Sequence, residues 1–199
     1  MSSGVIALSA YGLTRSQREE LLRIARQTIE SLLGGSEVSY VVRDPALEKP
    51  GAAFVTLTRQ GILRGCVGYS DPLFPLHQTV SRCARSAATD DHRFPPVQPH
   101  ELPDLRISIS VLSVLRKLES PEDVLIGRDG LQVVGAGRRG LLLPQVATEQ
   151  GWDRERFLDG VCHKAGLPSG AWRGGQVEVF AFEAEIFLED EPTDSTGSL

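Results

Sequence analysis

The sequence has no apolar run approaching the roughly 18 residues that cross a bilayer. Its start, MSSGVIALSAYGLT, lacks the basic n-region and continuous apolar stretch of a secretory signal. The reading is a soluble, cytoplasmic protein with no membrane partner. Basic residues are not in surplus either: 21 Lys and Arg against 26 Asp and Glu give a net charge of -5 and a pI near 5.4. That balance argues against broad phosphate binding, so nucleic acid is not an expected partner. Cys66, Cys83 and Cys162 are odd in number and far apart, which suits free thiols better than a disulfide framework. With no CxxC and no i, i+4 histidine pair, neither a metal nor a cofactor is expected. Internal repeats and low-complexity tracts are absent as well.

What remains is an ordinary globular composition, 41% hydrophobic and 24% charged over 199 residues, enough for one domain, at most a bilobed one. Thr14 with Gln17 forms a capping-box pattern, followed at helical spacing by Leu21, Leu22, Ala25, Ile29, Leu32 and Leu33, and Gly34 and Gly35 end that helix. The runs AAFVTLT (52–58) and ILRGCVGY (62–69), joined by Arg59, Gln60 and Gly61, predict a β-hairpin. Asp71, Pro72 and Pro75 open a second helix with Leu76, Val80, Cys83, Ala84, Ala87 and Ala88 on its buried stripe; His77 on it reads as solvated. A proline-rich loop, DDHRFPPVQP, leads to a half-buried strand over 106–115.

A second cluster follows, with a strand at 131–134, the turn GAGRRG, the run LLL (141–143), a short helix from Pro144, and a helix from Asp153 to Ala165. The chain closes on a strand at 177–188, where Phe180, Phe182, Ala184, Ile186 and Leu188 alternate with smaller or polar residues. The core of the larger lobe is expected to hold Phe54 or Val55, Leu57, Val67, Ile107, Ile109, Phe180, Phe182 and Ile186, with Cys83 buried against it. The fold class is α+β: a two-lobed single domain over 14–188, with antiparallel sheets flanked by helices and a cleft between the lobes as the natural ligand site. The larger lobe takes about 14–119 and 171–188, the smaller inserted lobe about 120–170, and 189–199 forms a flexible acidic tail.

Strand alternation puts Arg64, Cys66 and Gly68 on one face of the hairpin, and Leu63, Val67 and Tyr69 on the core face. A guanidinium beside a thiol favours the nucleophilic thiolate. Gly65 and Gly68 weaken a strand, and such glycines mark a bulge or the close approach of a ligand or another backbone. The alternative is a buried Cys66 packing as a small hydrophobe, with Arg64 on an exposed rim. Arg138 and Arg139 in GAGRRG read as a solvated turn rather than a phosphate loop. Cys162 and His163 are about 100° apart on a helix and do not face one ion together. Cys162 lies beside the apolar stripe of its helix, as a resolving thiol facing Cys66 or as a residue packed inside the smaller lobe.

Four segments in this order, LRGCVGY, RFPP (93–96), GLLLPQVA (140–147) and KAGLP (164–168), resemble the AMMECR-type domain family, whose prokaryotic members are called AmmeMemoRadiSam system protein A. The resemblance covers roughly 14–188. It implies the same two-lobed α+β domain and an association with Memo-like and radical S-adenosylmethionine proteins, but no established reaction. The family's signature falls on Arg64, Gly65, Cys66, Val67 and Gly68, and its cysteine before KAGL falls on Cys162. Members commonly lack histidine at the positions of His92 and His163, so neither is expected as a shared base. The resulting expectation is an activity on a small molecule or peptide, with Arg64, Cys66 and Cys162 as catalytic candidates. Gly65, Gly68, Arg93, Gln145 and Lys164 are candidates for binding an unknown small ligand. A non-catalytic adaptor using the same cleft is the alternative, and whether the chain is an enzyme stays open.

Overall fold

The computed structural model describes residues 12–189; the tail expected from 190 onward lies outside them. The elements run α1 (Arg15–Leu33), β1 (Ala52–Arg59), β2 (Ile62–Tyr69), α2 (Leu76–Thr89), β3 (Leu105–Leu112), β4 (Arg116–Lys117), β5 (Asp129–Gly135), β6 (Arg138–Leu142), α3 (Pro144–Glu149), α4 (Arg154–Lys164) and β7 (Glu178–Leu188). The fold is α+β. By contacts the described chain divides into one unit of Leu13–Val111 with residues 186–189, and another of Leu112–Glu185. The second unit is wider at both ends than the insertion expected at 120–170. It takes in β4 and most of β7, which the sequence reading left with the larger lobe.

In the first unit the capping box at α1 forms as its sequence predicts: the Thr14 hydroxyl accepts from the Gln17 N–H, and the Gln17 side chain accepts from the Thr14 N–H. The buried stripe of α1 is Leu21, Ile24, Ala25 and Ile29, while Leu22, Leu32 and Leu33 are only half-buried. β1 and β2 pair antiparallel around a two-residue turn, with Gln60 and Gly61 both at positive φ, and β3 lies on the other side of β1. Ala53, Val55 and Leu57 face α2, whose Leu76, Val80, Cys83, Ala84, Ala87 and Ala88 are all buried.

The hairpin is not regular. Leu57 pairs with Gly65 but Thr58 pairs with Leu63, so Arg64 is an extra, unopposed residue. This bulge flips the strand beyond it. Leu63, expected on the core face, is therefore 39% exposed. Val67 and Tyr69 stay half-buried.

Three further expectations are corrected. His77 is buried rather than solvated, because the segment before β1 crosses α2 there: its Nδ1 lies 3.2 Å from Tyr40 Oη and its Nε2 3.1 Å from Glu48 Oε2. Ile186 is 44% exposed, while Ala181, Glu185 and Phe187 are buried. The large apolar side chains misled the phase of β7, since small Ala181 is the one paired with Leu131 in a core. Phe180 is half-buried; Phe182 is buried and packs its ring over Gly130 on the opposite face.

In the second unit β6, β5 and β7 lie side by side, antiparallel, with β4 along the other edge of β7. The turn in GAGRRG is a hairpin turn, with Ala136 and Gly137 at positive φ. α4 is capped by Asp153 and buries Phe157, Leu158, Val161 and Cys162 against Leu131, Val133 and Ala181.

Helix–sheet contact is closest at two glycines. A Cβ on Gly65 would lie 2.1 Å from the Ala87 carbonyl oxygen, and one on Gly140 would lie 2.5 Å from the Ala165 nitrogen. Gly65→Ala therefore forces α2 off the hairpin, and urea unfolding should show a loss of about 1–3 kcal/mol or more. Ile62→Ala, at a tip that is 72% exposed, should stay within about 0.5 kcal/mol.

Candidate functional site

Cys66 sits opposite Thr56 in the hairpin, on the face away from α2. The outer edge of β2 at this point is covered by side chains. The Cys66 N–H donates to Asp91 Oδ2 at 2.8 Å, and Arg93 Nη2 donates to the Cys66 carbonyl at 3.3 Å. Since both backbone groups of Cys66 point outward, Cys66 and Thr56 form a non-hydrogen-bonded pair, the arrangement that brings facing side chains closest. The Cys66 Sγ accordingly lies 3.1 Å from Thr56 Oγ1.

Asp91, whose side chain is 5% exposed, also accepts from Arg93 Nε at 2.9 Å and Nη2 at 2.7 Å. The Arg93 hydrogen bonds hold its carboxyl well below the usual carboxylate range against the opposing effect of burial, helped by the Cys66 N–H. Asp91 in turn raises the Arg93 guanidinium through its hydrogen bonds and charge, against the opposing effect of burial. Arg93 is thus a cation tied by Asp91 to the backbone of Cys66.

Arg64 does something else. Thrown out by the bulge, its guanidinium takes Glu101 as a fork, Nε to Oε1 at 2.9 Å and Nη2 to Oε2 at 3.0 Å, and donates through Nη1 to the Pro95 carbonyl at 2.9 Å. It is neither the partner expected for Cys66 nor the exposed rim residue of the alternative; its side chain is only 14% exposed. Glu101 also accepts from the Gln98 N–H. Chiefly through Arg64, and against burial, its carboxyl is lowered to about 2.

The close approaches expected at Gly65 and Gly68 are made by the chain itself. Ala87 fills the first, and the Phe54 ring lies 2.2 Å from where a Cβ on Gly68 would be. Neither glycine leaves room for a ligand at its α-carbon.

Gln145, Cys162 and Lys164 belong to the other unit. Cys162 is wholly buried in that unit's core, so it takes the packing alternative and offers no accessible thiol for exchange. Burial pushes its thiol up, as it pushes the thiol of buried Cys83 up to about 12. Lys164 is exposed at the end of α4, and the Gln145 Oε1 is buried with no partner among the described residues. Arg138 donates to the Gly166 carbonyl, which ties the β5–β6 turn to the end of α4. Among the described residues no group of three or more His, Cys, Asp or Glu could hold a metal ion, and no helix is long and apolar enough to cross a membrane.

Asp91, Glu101 and Thr56 were missed from sequence. Asp91 lies in an irregular loop and Glu101 in the short 3-10 helix Pro99–Asp104, neither with a periodicity to read. The available signal was Arg64 itself, since an arginine on a strand buried on one side requires a carboxylate.

The fold and site define an α+β domain with one half-exposed thiol, on a strand edge held by a loop through two arginine–carboxylate pairs. The AMMECR1 family model matches residues 22–187, and the chain belongs to this family. It is 45% identical over 186 residues to a protein of Methanothermobacter thermautotrophicus, covering 89% of this chain and 97% of that one. It is 41% identical to protein MK0488 of Methanopyrus kandleri, over 90% of this chain and 92% of that one. The crystal structure of the uncharacterized protein PH0010 from Pyrococcus horikoshii superposes with a TM-score of 0.85 at 39% identity, covering 90% of this chain and 95% of that one.

Two outcomes are expected. With iodoacetamide near neutral pH, Cys66 should be carboxamidomethylated first, while Cys83 and Cys162 should react only once the chain unfolds, as read by peptide mass spectrometry. Because the Glu101 carboxyl is lowered when folded, its pairing contributes stability above its ordinary value of 4.5 and loses it as pH falls towards about 2. Glu101→Gln should therefore lower the melting temperature at pH 7 and flatten its fall between those two pH values.

Proposed function

We propose that the domain acts through Cys66, as a nucleophile or covalent carrier for a small molecule or a peptide. One observation carries this reading: of three thiols, Cys66 alone is not buried, and a cation paired with a buried carboxylate donates to its backbone carbonyl. A fixed positive charge favours the negative charge that gathers on an attacking sulfur. In the proposed step the Cys66 sulfur bonds to an electrophilic carbon as that carbon's bond to its leaving group breaks, and the thiol proton departs with the leaving group. Arg93 and Asp91 serve as positioning residues, the electrostatic role first expected of Arg64. The partners of this reading are the Memo-like and radical S-adenosylmethionine proteins implied by the family resemblance.

The adaptor reading is favoured by a different observation. Arg64, Gly65 and Gly68 are all engaged in packing or loop anchoring, so most of the signature can be accounted for by shape. The two readings part on one experiment. Protein recovered from its native host should carry a covalent adduct on Cys66 that is missing from Cys66→Ser. The adaptor reading instead predicts no adduct and undiminished co-purification of partners with Cys66→Ser.

A further inference from the structure

Among the described residues the Cys66 sulfur has one hydrogen-bond partner, and that partner is a hydroxyl. Sγ lies 3.1 Å from Thr56 Oγ1, and in the resting pair either atom can donate. Once negative charge gathers on the sulfur, only the hydroxyl can. Thr56 Oγ1 makes no second hydrogen bond within the described chain, so its proton is free to turn from the sulfur to an acceptor that arrives beside it. The hydroxyl is also held in place, because Thr56 is directly opposite Cys66 in the hairpin and its branched side chain has few rotamers.

An apolar wall adjoins this pair. Phe54 pairs with Gly68, so it lies two residues from Thr56 on the same face of the hairpin. Its ring takes the space that a side chain at position 68 would fill, 2.2 Å from where a Cβ would be. Phe54, Thr56 and Cys66 are all half-buried, which keeps the three within reach of one reactant.

The same surroundings limit the leaving group. No histidine or carboxyl bonds the sulfur among the described residues, so no general acid stands ready to protonate a departing alcoholate or amine. A thiolate leaves without that help, because an ordinary thiol has a pKa of about 8.5. We propose that the substrate at Cys66 is an acyl thioester, with Thr56 as the donor to its carbonyl oxygen and Phe54 as the surface for its acyl chain. This rests on the reading of Cys66 as a nucleophile. The Cys66 sulfur bonds to the carbonyl carbon, the bond from that carbon to the thioester sulfur breaks, and the Cys66 proton ends on the departing thiol. Nothing is oxidised or reduced, and the acyl group is left on Cys66. The Thr56 hydroxyl meets the charge that develops on the carbonyl oxygen while both sulfurs are attached.

The probe is S-phenyl thioacetate, applied to the full chain near neutral pH. Iodoacetamide is the comparison, since it loses iodide from a saturated carbon and builds no charge on oxygen. Peptide mass spectrometry should find acetyl on Cys66 and none on Cys83 or Cys162. Thr56→Val keeps a branched side chain that suits a strand. It should slow acetylation of Cys66 about tenfold or more beyond any slowing of carboxamidomethylation, and Thr56→Ser should recover most of that loss. Protection of Cys83 and Cys162 in the same digests reports that the variants stay folded. Equal slowing of both reactions overturns the proposal, since Thr56 would then act on the thiol alone, and so does no slowing of either. A native chain alkylated at Cys66 but not acetylated overturns the thioester and leaves the nucleophile standing. If iodoacetamide also spares Cys66, both readings fall together.

Discussion

The forked pair between Arg64 and Glu101 is the constraint on which the first unit's site depends. Both side chains are largely buried, and removing one partner of such a pair typically costs about 3–5 kcal/mol because the other charge is left uncompensated. The pair ties a bulged strand residue to a segment, Asp91 to Pro103, that has no strand and only one short 3-10 helix. Once that segment is fixed, Asp91 and Arg93 can reach the edge of β2. They supply the donor and acceptor that a neighbouring strand would have supplied, so an otherwise open edge is closed by side chains. Cys66 inherits its position from that closure rather than from its own packing.

The glycines belong to the same argument. Gly65 lets α2 lie on the hairpin and Gly68 lets Phe54 fold across it, while the bulge between them and the hairpin tip re-aims Arg64 towards Glu101. A regular strand would have pointed Arg64 the same way as Cys66. The one-residue irregularity therefore separates the two side chains that a strict alternation would join, and gives the loop its anchor. In the second unit Gly140 plays the corresponding part, bringing β6 against the end of α4, so that the GLLLPQVA and KAGLP segments meet through packing.

Much of this was legible in the sequence where period and caps agree. The capping box at Thr14, the short loop with positive-φ Gly61 closing the hairpin, the stripe of α2 down to Cys83, and Asp153 starting α4 all follow from local rules, although Arg59, expected in that loop, ends β1. Failures came where two faces compete or where long side chains reach across the fold. Ile186 looked like core because it is large, but its strand buries smaller Ala181 and charged Glu185 instead. His77 looked solvated because its cover, Tyr40 and Glu48, lies in a segment without periodicity. For the site, Cys66 and Arg93, named from two separate motifs, lie in one unit, but nothing in a linear pattern tells which carboxylate a guanidinium will choose.

The central claim is that the Asp91-held guanidinium of Arg93 positions Cys66 for chemistry. Its most direct measurement is the rate of Cys66 alkylation in Arg93→Gln compared with the native chain, with Cys83 and Cys162 followed in the same digests as reporters of unfolding. The account predicts a several-fold slower reaction at Cys66 while the other two thiols stay protected. An unchanged Cys66 rate in a chain that keeps Cys83 and Cys162 protected would contradict it.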